Sequence, residues 1–167
     1  LTQYKNNKMN ITELLNTIVS NRMAEMHICM PAKIVSYDFA TRKASVQPAL
    51  NQKYNDDEVL ALPIIHNVPV MQPYSGGASV NFPVKAGDNV LLVFSERSLE
   101  EWLKDGKQIT PDDARQNNLT DAIAHIGLRP FSEISDAENN DDLLISFNTS
   151  KIRLKPSGII EAEASQI

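Results

Sequence analysis

The three histidines, the single cysteine and the acidic pairs are the residues of this chain with the strongest intrinsic chemistry, and their spacing decides what they can do. His27 and Cys29 stand two apart, a spacing that turns both side chains to one side of an extended segment and toward one metal ion. A structural zinc site needs about four ligands, and neither a second cysteine nor a His-x-x-His follows. The pair therefore reads as a partly buried cysteine beside a surface histidine, and no metal site is assigned. His66 and His125 lack the Glu and second His of a helix-borne zinc hydrolase. His66, in an apolar stretch, reads as a hydrogen-bonded structural histidine, and His125 as a turn or interface residue.

The acidic groups Asp56-Asp57-Glu58, Asp112-Asp113 and Asp141-Asp142 are adjacent in sequence, which does not place two carboxylates across a substrate, so they read as solvated clusters. Gly76-Gly77 lacks the Lys-Ser or Lys-Thr of a phosphate-gripping loop, and the nucleophile elbow of serine hydrolases is absent. No catalytic residue and no cofactor is assigned. The expectation is a non-enzymatic, β-rich structural module that works by assembling with copies of itself.

A chain of 167 residues supports one hydrophobic core with a small appendage. The net charge of -5, with basic residues split between the two ends, argues against a surface dedicated to phosphate backbones, so no nucleic-acid partner is expected. One cysteine excludes an intrachain disulfide framework. The longest apolar run, residues 90–94, is far too short to span a bilayer as a helix.

Ile11, Leu14, Leu15, Ile18, Val19 and Met23 recur at helical spacing, with Asn10 and Glu13 placed for a capping box. This predicts an amphipathic helix of about four turns, its stripe packed on the domain core or on a neighbouring subunit. From Pro31 the pattern becomes extended. Ile34-Val35-Ser36-Tyr37 and the segment carrying Ala44, Val46 and Leu50 on one face form a hairpin, bent or at an edge near Pro48. Short extended pieces interrupted by prolines 63, 69 and 73 lead to a tip at Gly76-Gly77. A turn through Gly87 and Asp88 feeds the strongest strand, residues 90–94, expected to be covered on both faces.

Ser98 and Glu101 match a capping box before a short helix closed by Gly106, with Trp102 read as core packing or, alternatively, as a stacking platform. A long polar excursion follows, for which subunit contact is one reason. The core candidates are Ile34, Val46, Val90, Leu92, Phe94 and Trp102. In the last quarter, Leu143-Leu144-Ile145-Ser146-Phe147 and the alternating Lys151-Ile152-Arg153-Leu154-Lys155 are brief strands with a turn at Gly158. So narrow a ribbon cannot bury both its faces alone, and the chain reads as the front part of a longer repetitive protein.

Several segments in order resemble the amino-terminal region of phage baseplate central spike proteins, the membrane-puncturing spikes related to baseplate assembly protein V. They are Ala32-Lys33-Ile34-Val35-Ser36-Tyr37-Asp38, Ala44-Ser45-Val46-Gln47-Pro48, Asn67-Val68-Pro69-Val70, Phe82-Pro83-Val84-Lys85-Ala86-Gly87-Asp88, Glu101-Trp102 and Leu119-Thr120-Asp121-Ala122. The resemblance implies an arm and helix over residues 1–30, an OB-like five-stranded antiparallel barrel with a helical excursion over 31–131, and a linker and the start of a trimeric intertwined β-helix over 132–167. It implies a homotrimer with Ile152, Leu154 and Ile159 toward the axis, at the end of a contractile tail or related injection machine, docked to tail tube and baseplate hub. That trimer would be made in the host cytoplasm, carried in the virion and pressed transiently into the host outer membrane through a distal tip. A lytic domain, where such spikes carry one, would lie downstream. The alternative from another class is an OB-type nucleic-acid or saccharide binding module, with Tyr37, Tyr54 and Tyr74 as candidate stacking residues.

Overall fold

The computed structural model describes residues 10–53, 59–133 and 139–164. The chain forms two compact units that divide after Leu128.

The first unit opens with α1 (Ile11–Ala24), whose start is fixed by the Asn10 and Glu13 capping box. None of its residues is buried, and it packs against no strand. The expectation that its stripe covers the domain core is thus corrected: the barrel interior is filled by side chains of its own strands.

Among the described residues, nine strands precede the division. They are β1 (Cys29–Asp38), β2 (Lys43–Pro48), β3 (Gln52–Lys53), β4 (Val59–Leu60), β5 (Ile65–Met71), β6 (Tyr74–Ser75), β7 (Ala78–Ser79), β8 (Asn89–Phe94) and β9 (Ala122–Ile126). Five of them close a barrel in the order β1-β2-β5-β9-β8. The ten residues of β1 make closure possible, since residues 29–33 pair with β8 while residues 32–38 pair with β2. All pairs are antiparallel except β5 with β9, which run parallel. The barrel is therefore mixed rather than antiparallel. The long connection through β8 brings the chain back beside β5 in the same direction, as parallel neighbours require a crossover. β3 with β4, and β6 with β7, are two-residue ribbons outside it.

The alternation of β2 and β8 fills the interior. Ala44, Val46 and Pro48 are buried along β2, and Val90, Leu92 and Phe94 along β8, with Ile34 opposite Val46 on β1. Leu50 falls beyond β2 and is exposed, because Pro48 ends the strand. The intervening residues of β8 are half-buried, so this strand has one fully covered face and not two.

Beyond β8, α2 (Trp102–Asp105) is a single turn. Its N-cap is Glu101, with no side-chain cap, so the Ser98 and Glu101 box does not form. Gly106 closes the turn in the left-handed region. Trp102, expected in the core, is 47% exposed, because one turn of helix cannot reach an interior already occupied by the strands. Gly76 and Gly77 form the β6–β7 turn, and the Gly87 N–H donates to the Ile34 carbonyl, tying the turn before β8 to β1. Asp88 holds the same turn by accepting the Lys85 N–H at 2.7 Å.

The second unit is an antiparallel meander of β10 (Leu143–Phe147), β11 (Ser150–Leu154) and β12 (Ile160–Glu163). Gly158 lies in the turn before β12, where the Lys155 N–H donates to the Ile159 carbonyl.

Leu92→Ala empties part of the closed interior, since Leu92 is wholly inaccessible. The expected cost is about 2–5 kcal/mol, read as a lower urea midpoint with an unchanged slope.

Candidate functional site

The excursion between β8 and β9, residues 95–121, is anchored by one carboxylate. Asp121 is buried directly before β9, where its charge must be paired to be tolerated. Arg115 supplies the pairing on two prongs, donating Nε to Oδ2 at 2.7 Å and Nη2 to Oδ1 at 3.1 Å. The Leu99 N–H donates to the same Oδ1 at 3.2 Å, and the Ser95 N–H donates to the Asp121 carbonyl at 2.9 Å. The guanidinium also reaches Ser98 Oγ at 2.9 Å, Glu100 Oε1 at 3.0 Å and Asp113 Oδ2 at 3.1 Å. Asp121 first and then Glu100 raise the Arg115 pKa further, so its charge is permanent. These groups are spent on holding the loop, and the cluster is a latch.

The residues singled out by their chemistry do not converge. Cys29 is exposed at the start of β1, opposite Val93, whereas His27 is half-buried. This reverses the expected order of burial: the His27 ring lies against Phe94, with centroids 5.3 Å apart, and the His27 backbone N–H donates to the Asn117 carbonyl. His125 belongs to β9, between Leu91 and Met71, and not to a turn. His66 Nδ1 is bonded to Ser45 Oγ at 2.9 Å. Asp113 belongs to the latch, and Asp142 lies 3.7 Å from Arg153. Tyr37 is half-buried against the core and Tyr74 exposed on β6. Tyr54 and the 56–58 acidic run lie outside the described residues. Among the described residues no group of three or more His, Cys, Asp or Glu is placed to hold a metal ion.

The second unit carries the most pronounced surface. Cross-strand partners share a face of a sheet, and the register sets Leu143 opposite Leu154, Ile145 opposite Ile152, and Leu154 opposite Ile160. With Phe147 and Ala162 these residues make one continuous apolar face. It is open to solvent, from 37% exposure at Leu154 to 69% at Ile160. The other face sets Arg153 opposite Glu161 and Lys151 opposite Glu163, and the Lys155 ammonium meets Glu161 at 2.5 Å. Arg153 and Asp142 are the better covered side chains, at 13% and 12% exposure. The sheet thus departs from what water favours, since Arg153 and Asp142 are sheltered while its apolar side is open. Ile152 and Leu154 lie on the apolar face. Ile159 precedes β12 and takes part in the turn, and Ile160 occupies the position opposite Leu154.

Two parts of this picture went unread in the sequence. Leu143, Ile145 and Phe147 carried a legible signal in their alternation. Arg115 carried none, because its partners at 98, 100 and 121 are brought to it only by the folded excursion.

The barrel and its excursion are also the part of the chain with a known counterpart. A family model described as phage protein Gp138 N-terminal domain matches residues 30–127, more than half of the chain. The match runs from β1 to the end of β9 and includes neither α1 nor the meander. No curated protein matches the chain.

Two measurements test the barrel end. Arg115→Ala leaves Asp121 buried without its cation, with an expected loss of about 3–5 kcal/mol, and amide exchange quickens first at Ser95 and Leu99. Burial lowers the His27 pKa below its ordinary 6.5. The unfolded chain therefore binds more protons in the window beneath 6.5, and the stability from His27, complete above it, is lost as pH falls through the lowered value. His27→Gln should flatten the fall of the urea midpoint on acidification through that window.

Proposed function

We propose, because the chain belongs to the phage Gp138 N-terminal-domain family, that it is a structural spike component of a phage tail baseplate and works as a homotrimer. The open apolar face of β10, β11 and β12 carries this reading. Three copies turned inward would bury Leu143, Ile145, Ile152, Leu154 and Ile160 against one another and keep the charged face outward. Burial at about 25 cal/mol per Å² of apolar surface is the driving term. The outer edges of β10 and β12, unpaired among the described residues of one chain, would come together in the same step.

The role is mechanical. A trimer whose backbone hydrogen bonds are all paired is stiff, and a stiff shaft transmits the force of tail contraction to the host outer membrane, which it meets transiently through its distal tip. The barrel, closed and without strand edges, is the base that docks on tail tube and hub proteins. The exposed stripe of α1 is available there. The site of action is the virion baseplate, after synthesis in the host cytoplasm.

Light scattering coupled to size exclusion tests the assembly. The expected mass is three times 18.6 kDa. Ile145→Lys and Ile152→Lys, which face each other across β10 and β11, should each give a monomer with the thermal unfolding of the barrel retained. A wild-type chain that stays monomeric throughout the micromolar range sinks the reading.

A further inference from the structure

Ser45 of β2 lies between two irregularities. On the β1 side the register passes from Ile34 opposite Val46 to Ser36 opposite Ser45, leaving Val35 over. On the β5 side Ala44 pairs with Val68 and Val46 with Ile65, so His66 and Asn67 together oppose the single Ser45. Bulges bend a strand and re-aim its side chains. Asn67 completes its bulge at φ 59°, a conformation that side chains other than glycine seldom adopt.

Between them opens a groove of about 440 Å³, within the several-hundred range of small-ligand sites. Its lining is about equally polar and apolar, and among the residues that form it are Ser36, Tyr37, Lys43, Ser45, His66 and Asn67. The 2.9 Å bond to Ser45 Oγ holds the imidazole at Nδ1 and leaves Nε2 for a ligand. The Asn67 amide, a donor and an acceptor, is likewise unengaged among the described residues. Tyr37 rests on the core and offers a firm apolar ring.

The electrostatics narrow the ligand. Lys43 stands directly across from Asp38, which also lines the groove. The Asp38 carboxylate accepts the Thr41 hydroxyl at 2.7 Å and the Ala40 N–H at 2.9 Å, and these bonds, the hydroxyl first, keep it ionised by lowering its pKa. One fixed anion balances one cation, so a phosphodiester strand finds no excess positive charge here. Hydroxyl, amide and imidazole groups around one aromatic ring match a ligand rich in alternating donors and acceptors with apolar C–H faces.

We infer that this groove binds a neutral, hydroxyl-rich oligosaccharide. The site lies wholly within one barrel and does not depend on assembly, so it stands or falls separately from the trimer. The test uses the full chain, fluorescently labelled, on an array of neutral tetrasaccharides of hexoses and N-acetylhexosamines, followed by calorimetry with the strongest binder and with single-stranded oligothymidylate. Saturable binding to a neutral glycan is expected, weakened about tenfold, the loss of about one good hydrogen bond, in His66→Ala and in Asn67→Gly. The second variant removes the amide while keeping a residue suited to positive φ, so the bulge persists; the unfolding midpoint of each variant verifies folding. No saturable glycan binding by the folded wild type, binding by both variants as tight as that of the wild type, or a preference for oligothymidylate overturns the inference.

Discussion

The double pairing of β1 is the constraint from which the rest of the first unit follows. One strand serves two partners, β8 over its first residues and β2 over its last, and only this lets five short strands close on themselves. Closure abolishes the edges and encloses a space that the inward residues of β1, β2, β5, β8 and β9 must fill. The turn before β8 is stitched to the same strand, since the Ile34 N–H donates to the Asp88 carbonyl at 2.9 Å while its own carbonyl accepts the Gly87 N–H at 2.8 Å. The bulge at Val35 lets β1 curve enough to do both jobs.

Much of the barrel was legible because its strands obey a two-residue period. Val46 could be assigned inward from alternation, and Val90, Leu92 and Phe94 from a valine-rich apolar run that was expected to be covered on both faces, while Gly87-Asp88 could be placed in a turn from residue type. The parallel neighbourhood of β5 and β9 was not legible, because nothing local to either strand records which partner the long connection will deliver. Trp102 misled for a related reason. A large aromatic residue is usually covered, but a single helical turn outside a filled barrel has nowhere to put it. The latch lay beyond sequence reading altogether, since an arginine in a polar stretch gives no sign of the carboxylate it will meet.

The two units treat apolar surface in opposite ways. The barrel hides Ile34, Val46 and Leu92 and shows polar residues over much of β1 and β2, so a single chain satisfies it. The meander shelters Arg153 and Asp142 and leaves Ile145 and Ile160 in water, so a single chain does not. The family match respects this division, since it ends with β9. A module with its own closed core is thereby joined to a sheet that leaves one apolar face open to water.

The reach of β1 to β8 also sets an order in time. During synthesis β1 and β2 emerge early, yet the barrel cannot close until β8 and then β9 have been made, and contacts so distant in sequence form slowly because a long loop must be ordered first. The meander is joined by short turns, with only Asn148 and Thr149 between β10 and β11, so its pairings are local and quick to form. The meander's pairings are the quicker to form, yet β9 is made before β10, so all five barrel strands are present before the meander's apolar face is complete. In such a chain, the interval between translation and barrel closure is when crowding by unrelated polypeptides is most hazardous.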